Sequence, residues 1–202
     1  MTVPADQEKD QPGVRTPGLG TLPATWAKKY GAPLAQSEAP TIYVFRGSMD
    51  TFPDGNGVIV SFDKGSIDQE PRAVQISFIA GNKHPTTLAQ AQAIAQGFFP
   101  TDTSSPSIIQ SYDPHENDFK NSQCQALTYT SKTLAKLFPP QDFLDKQGGL
   151  APAGSVTISF FPLYSRTDGT ENNETASGGA AYPVDENQVS SILITLGTKT
   201  YC

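Results

Sequence analysis

Charge is scarce in this chain. Of its 202 residues only 17% are Asp, Glu, Lys or Arg, against about 25% in a typical domain. The balance is acidic, with 20 carboxylates against 14 Lys and Arg and a net charge of −6. Phosphate neutralisation needs clustered cations, so the composition argues against nucleic acid as a partner. No apolar run approaches the roughly 18 residues of a membrane-spanning helix. Histidine is limited to His84 and His115, and cysteine to Cys124 and Cys202. Two cysteines without a CxxC pair cannot hold zinc unless histidines stand beside them. The HExxH, CxxC, GxSxG and phosphate-loop signatures are missing, which removes the sequence warrant for those chemistries. Hydrophobic residues, at 37%, suffice for a packed core, while 17 Gly and 17 Pro demand many loops. This length fits one ordinary domain or two small ones.

The first 20 residues, MTVPADQEKDQPGVRTPGLG, hold no hydrophobic segment, so they are not a signal peptide as they stand. Pro4, Pro12, Pro17, Gly13, Gly18 and Gly20 punctuate a polar stretch with little to bury, which predicts a disordered tether over 1–20. A tether there, with a body rich in Ser, Thr, Asn, Gln and Gly, predicts an exported protein of the bacterial envelope or exterior. Any attachment to a membrane is then peripheral, through an N-terminal lipid anchor outside this chain. In an oxidising compartment the expected state of Cys124 and Cys202 is a disulfide.

Turning to what is present, Thr21 to Tyr30 reads as a short helix. Leu22, Trp26 and Tyr30 share one stripe, and Gly31 and Pro33 end it. Trp26, the single tryptophan, is expected in the core rather than on a ligand platform. Thr41 to Arg46, Gly57 to Phe62 and Ala73 to Ile79 follow as strands. Their alternation, Val58, Val60 and Phe62 or Val74, Ile76 and Phe78, is that of a sheet with one buried face. A helix is expected from about Thr87 to Phe98, opened by a Thr87–Gln90 capping box. Short strands at Ile108–Tyr112 and Gln123–Thr130 come next, then a helix at Ser131–Phe138. The last strands are Ser155–Leu163 and Val189–Leu196, separated by the polar stretch Thr167–Ala181. The fold class is therefore α+β: antiparallel sheet with two to four short helices packed on one face.

The two halves, 21–100 and 101–202, look alike. Each has a short helix with an aromatic end, a strand ending in Phe, and a last strand running into glycine. Together, TWAKKYGAP and the β-rich segments behind it resemble the helix-plus-antiparallel-meander repeat of β-lactamase inhibitor protein and of small outer-membrane assembly lipoproteins. TSKTLAKLFPP, SVTISFFPL and VSSILITLG are similar to exported lipoprotein-type domains of Gram-positive and related bacteria. The resemblance spans about residues 20 to 200 and departs from the repeat where Ser107 to Thr130 intrudes. It implies two tandem units and an interaction role, and it carries over no functional residue.

The densest group of ligand-type side chains is Asp113, His115, Glu116 and Asp118, which reads as a solvated acidic loop rather than a cation site. His84, ahead of Pro85, reads as a surface loop residue. Asp54-Gly55-Asn56-Gly57 is turn chemistry. Asn173-Glu174-Thr175 fits a glycosylation sequon, a motif frequent by chance. No catalytic, cofactor-binding or metal-ligating residue is assigned, and no cofactor is expected. The expected function is an extracytoplasmic binding or assembly module for a protein or cell-envelope ligand. The alternative is a secreted hydrolase with a loop-built carboxylate and histidine site.

Overall fold

A computed structural model describes residues 13–38, 41–46, 57–63, 67–79, 86–110, 125–162, 164–166, 181–183 and 188–200. The helices are α1 (Pro23–Tyr30), α2 (Leu88–Gln96) and α3 (Lys132–Leu137). The strands are β1 (Ala35–Glu38), β2 (Thr41–Arg46), β3 (Gly57–Asp63), β4 (Arg72–Ile79), β5 (Thr86–Thr87), β6 (Ser107–Gln110), β7 (Gln125–Thr130), β8 (Ser155–Pro162), β9 (Tyr164–Arg166), β10 (Ala181–Pro183) and β11 (Gln188–Leu196). Eight strands form one ladder in the order β1-β2-β3-β4-β11-β8-β7-β6, with β5 joined to the side of β11. Every pairing among the described residues is antiparallel. The α+β expectation therefore holds in its coarse form, with the sheet dominating.

The ladder is two meanders meeting edge to edge. Residues before α2 supply β1 to β4, residues after it supply β6, β7, β8 and β11, and β4 and β11 form the seam. The inward rows correspond. Phe45 pairs with Val58 and Val58 with Phe78; Tyr129 pairs with Val156 and Val156 with Leu196. One row further in, Tyr43, Val60 and Ile76 stand opposite Leu127, Ile158 and Ile194. The helices do not follow this correspondence. α1 precedes β1, whereas α3 lies between β7 and β8.

The local reasons for the helices are visible in their ends. Pro23 opens α1, where its missing N–H costs nothing, and Gly31, at φ 82°, follows its last residue. The Thr87–Gln90 capping box forms as expected, with the Thr87 hydroxyl accepting from Gln90 N. Ser131 caps α3 by accepting from Leu134 N at 3.2 Å. All three helices bury their apolar residues in the core formed by Phe45, Val58, Val60, Ile76, Ile158, Ile194 and their neighbours. Trp26 is fully buried and stacks on Phe98, Tyr30 and Phe45 at 5.8, 5.9 and 6.2 Å between ring centroids. Burial in that stack pushes the Tyr30 phenol up to about 12. On the far side of the core Phe99 meets Tyr129 edge to face at 4.9 Å.

The tether expected over 1–20 does not hold for its described part, residues 13–20, and residues 1–12 lie outside the described residues. From Gly13 onward the chain is a strap built into the fold. Leu19 is fully buried, Leu19 N donates to Phe98 O, Gly20 N donates to Ala73 O, and Ala73 N donates to Thr21 O. Gly13 O accepts from Thr101 N at 2.9 Å. Arg72, 2% exposed, donates to Gly20 O at 2.8 Å and forms an ion pair with Asp68. The prolines and glycines that read as flexibility instead let the strap lie flat. A side chain on Gly18 would collide with the backbone of Phe98 and Arg15.

Candidate functional site

Strand alternation assigns each residue of the ladder to one of two faces. The helices cover the face that carries Phe45, Val58, Val60 and Ile76. None of the described helices packs on the other. Two rows run across that second face. The first is Ser37, Ile42, Ser61, Gln75, Thr195, Thr157, Thr128 and Ser107. It crosses all eight strands, and six of its members carry hydroxyls. The second is Ala35, Val44, Ile59, Ser77, Leu193, Ser159 and Ala126. Neither row contains a charged side chain. Thr157 and Ser159, on β8, are buried among their neighbours, and the Thr157 hydroxyl donates to Gly197 O at 2.8 Å. Ile42, Val44, Ile59, Ser61, Gln75, Ser77, Leu193 and Thr128 are half-buried, and Ser107 at the β6 edge is exposed. Both rows are neutral on a chain of net charge −6, and Thr195 and Ala126 are buried as well.

At the end of the sheet where β3 stops lies, among the described residues, a carboxylate pair with a resolved perturbation. Burial raises the Asp142 carboxyl above its ordinary value, and the charge of Asp63 adds to the effect. Asp142 Oδ2 is buried without a hydrogen-bond partner. Near α3, Asp102 behaves in the opposite way. Burial tends to raise it, but hydrogen bonds from the Ser131 hydroxyl at 2.6 Å and Thr133 N at 2.8 Å outweigh that, and the net shift is downward. The Ser131–Asp102 contact is helix capping, since Ser131 itself accepts from Leu134 N.

His84, Asp113, His115, Glu116, Asp118, Asn173, Glu174, Thr175, Cys124 and Cys202 lie outside the described residues, as do Asp54, Gly55 and Asn56. Among the described residues no three His, Cys, Asp or Glu side chains group as metal ligands, and no helix is long and apolar enough to cross a membrane. Sequence reading passed over a Ser-x-x-Lys spacing at Ser61–Lys64. Ser61 is in the middle of β3 rather than on the helix that this spacing serves, and Lys64 lies outside the described residues. It also passed over the Asp63–Asp142 pair, whose members are 79 positions apart in sequence and share no local signal. The neutral second face was legible only as alternating Ser, Thr and Gln positions, not as a continuous row. Against known proteins, no family model, no curated protein and no solved structure matches this chain.

Proposed function

We propose that the chain is a non-catalytic binding or assembly module that works outside the cytoplasm, with a protein or cell-envelope ligand as its partner. The observation that carries this reading is the eight-stranded ladder with helices on one face and two uncharged rows on the other. On that face Ile42, Val44, Ile59 and Leu193 are half-buried apolar side chains over which none of the described helices packs, and contiguous apolar surface marks interaction sites. The export part rests on composition and on the resemblance to exported lipoprotein-type domains. The test is fractionation of the source cells together with a hydrolase panel. Recovery in the envelope or medium with no reproducible turnover is expected. Recovery in the cytosol rejects the location, and reproducible turnover rejects the non-catalytic role.

The two meanders are, on this reading, copies of one four-strand unit related by a two-fold axis through the β4·β11 seam. Val58-Ile-Val-Ser-Phe62 and Val156-Thr-Ile-Ser-Phe160 occupy equivalent rungs, as do Ile76-Ser-Phe78 and Ile194-Thr-Leu196. The repeated element is the meander rather than the helix plus meander, because the helices enter the two halves at different points.

One observation favours the hydrolase alternative, the raised Asp142 carboxyl beside Asp63. A carboxyl that holds its proton more firmly than usual beside a second carboxylate is the arrangement used in general acid catalysis. Turnover abolished by Asp142→Asn in a folded protein would establish that reading.

A further inference from the structure

Between α3 and β8 the chain runs through Pro139–Ala151, a segment whose hydrogen bonds are mostly its own. Pro140–Asp142 forms one turn of 3-10 helix, with Phe143 N donating to Pro140 O. Leu144 and Leu150 pair as a bridge, Ala151 N donates to Phe143 O, and Asp145 N donates to Gly149 O. Asp145 Oδ1 closes the tip by accepting from Gln147 N and Gly149 N, both at 2.8 Å. Among the described residues, one carbonyl carries the backbone hydrogen bonds from this segment to the sheet. Leu144 O accepts from Thr198 N at 2.9 Å and from Lys199 N at 3.1 Å, just beyond β11. The side-chain anchor is Phe143, fully buried and edge-on to Phe138 at 6.5 Å between ring centroids. A unit bonded within itself and held to the body at so few points opens and closes as one piece.

Asp142 stands where this segment meets the end of β3. Its Oδ2 is sealed from solvent and takes no hydrogen bond, and Asp63, the last residue of β3, is the charge felt there. Arg72, opposite Asp63 on β4, is committed to Asp68 and to Gly20 O. Lys136, in the last turn of α3, is exposed, and Lys199, after β11, is half-buried. On the segment itself Lys146 is exposed and Asp145 is held by the hairpin backbone. We infer that Pro139–Ala151 is a pH-sensitive latch over this end of the sheet, tight when the Asp142 carboxyl is protonated and loosened when it ionises. Closed, the latch puts a carboxyl oxygen where neither water nor a donor reaches it, beside a second carboxylate. Open, the same group is hydrated. An uncharged carboxyl costs far less to bury than an ionised one. The raised Asp142 carboxyl agrees with this sign. The closed form binds the proton more firmly than the open one, so acid favours closing, and that advantage is lost as pH climbs from the ordinary value of 3.8 through the raised one. The latch also carries Leu144 and Leu150, 38% and 68% exposed, so the proton sets how firmly two solvent-facing leucines are presented.

Hydrogen exchange of the full chain between about pH 4 and about pH 7, corrected for the intrinsic pH dependence of exchange, tests the latch. The Thr198 and Lys199 amides report its opening, and amides within β8 and β11 report unfolding of the sheet. The expected result is a several-fold loss of protection at Thr198 and Lys199 as pH rises, without a matching loss in β8 and β11. In Asp142→Asn the protection should stay high across the range. In Asp63→Asn the loss should shrink without vanishing, because only the smaller of the two causes is removed. Circular dichroism identifies a variant that fails to fold, and the other then decides. Protection at Thr198 and Lys199 that does not change with pH overturns the latch. So does a loss that persists in full in folded Asp142→Asn or Asp63→Asn, or one shared equally by β8 and β11. Each of these outcomes leaves the binding-module reading in place, and hydrolytic turnover would reject that reading without touching the latch.

Discussion

Asp102 and Asp142 show how environment separates two residues of one type. Asp102 takes hydrogen bonds from the Ser131 hydroxyl and Thr133 N, so its charged form is favoured in the folded chain. Its contribution is present above the ordinary aspartate value of 3.8 and is lost as pH falls through the lowered folded value. Asp142 works the other way. Burial, then Asp63, raises its folded value, so the penalty is absent at low pH, grows as pH rises from the ordinary value through the raised one, and is complete above it. Asp142→Asn removes that charge while keeping the shape. Urea denaturation at neutral pH should therefore show the variant equal to or more stable than the parent, with any gain vanishing in acid. A clear loss of stability at neutral pH would mean that the carboxylate has a favourable partner in the fold.

Among the elements, the strap from Gly13 to Thr21 departs most from what the sequence suggests. Its prolines and glycines carry no periodicity, and its one large apolar anchor, Leu19, has no neighbours in a pattern. Burial there is decided by Phe98, Ala73 and Arg72, which are distant in sequence. Leu19→Ala should cost about 3 kcal/mol, in the range for a buried leucine that leaves a cavity, measured by thermal or urea unfolding. A cost below about 0.5 kcal/mol would return the segment to a surface tether. Elements whose signal is local were readable. β2 runs over Thr41–Arg46 as expected, α2 begins behind its capping box, and β8 and β11 fall within a residue or so of their expected bounds. β1, AQSE, was not readable because it has no strand-forming residues, and only its pairing with β2 makes it a strand. The candidate site was less legible than the fold for the same reason. Alternation fixes which residues share a face, whereas the continuity of Ser61, Gln75, Thr195 and Thr157 depends on strand order, which local patterns do not encode.

For the whole molecule, two properties link distant parts of the chain. The first is the proposed Cys124–Cys202 bond. In the chain-entropy model, closing a loop of nearly 80 residues stabilises by about 4 kcal/mol if unstrained. The described neighbours of the two cysteines stand at opposite ends of β8: Gln125 pairs with Phe160, whereas β11 ends with Leu196 beside Val156. A thiol assay on chain denatured without reductant should find no free thiol if the bond forms, and two free thiols would remove it. The second property is the two-fold relation of the meanders, which makes a quantitative demand. Val58 and Val156 are both fully buried and sit on equivalent rungs, Val58 between Phe45 and Phe78 and Val156 between Tyr129 and Leu196. β4 and β11 lie between their strands, and Val58 is on the rung of Phe160, four residues from Val156, so they are more than about 14 Å apart at strand spacing, beyond the range at which substitutions couple. Val58→Ala and Val156→Ala should each cost about 2 kcal/mol, and the double variant should lose their sum within about 0.5 kcal/mol. If the units fold as one cooperative sheet, single unfolding transitions accompany those losses. If one unit unfolds before the other, Val58→Ala will lower one transition and Val156→Ala the other, and the β4·β11 seam will be a junction between two separately stable halves. The single transition is expected, because the strap ties Ala73 of the first unit to Phe98 and Thr101, and Asp102 in the same turn caps α3 of the second.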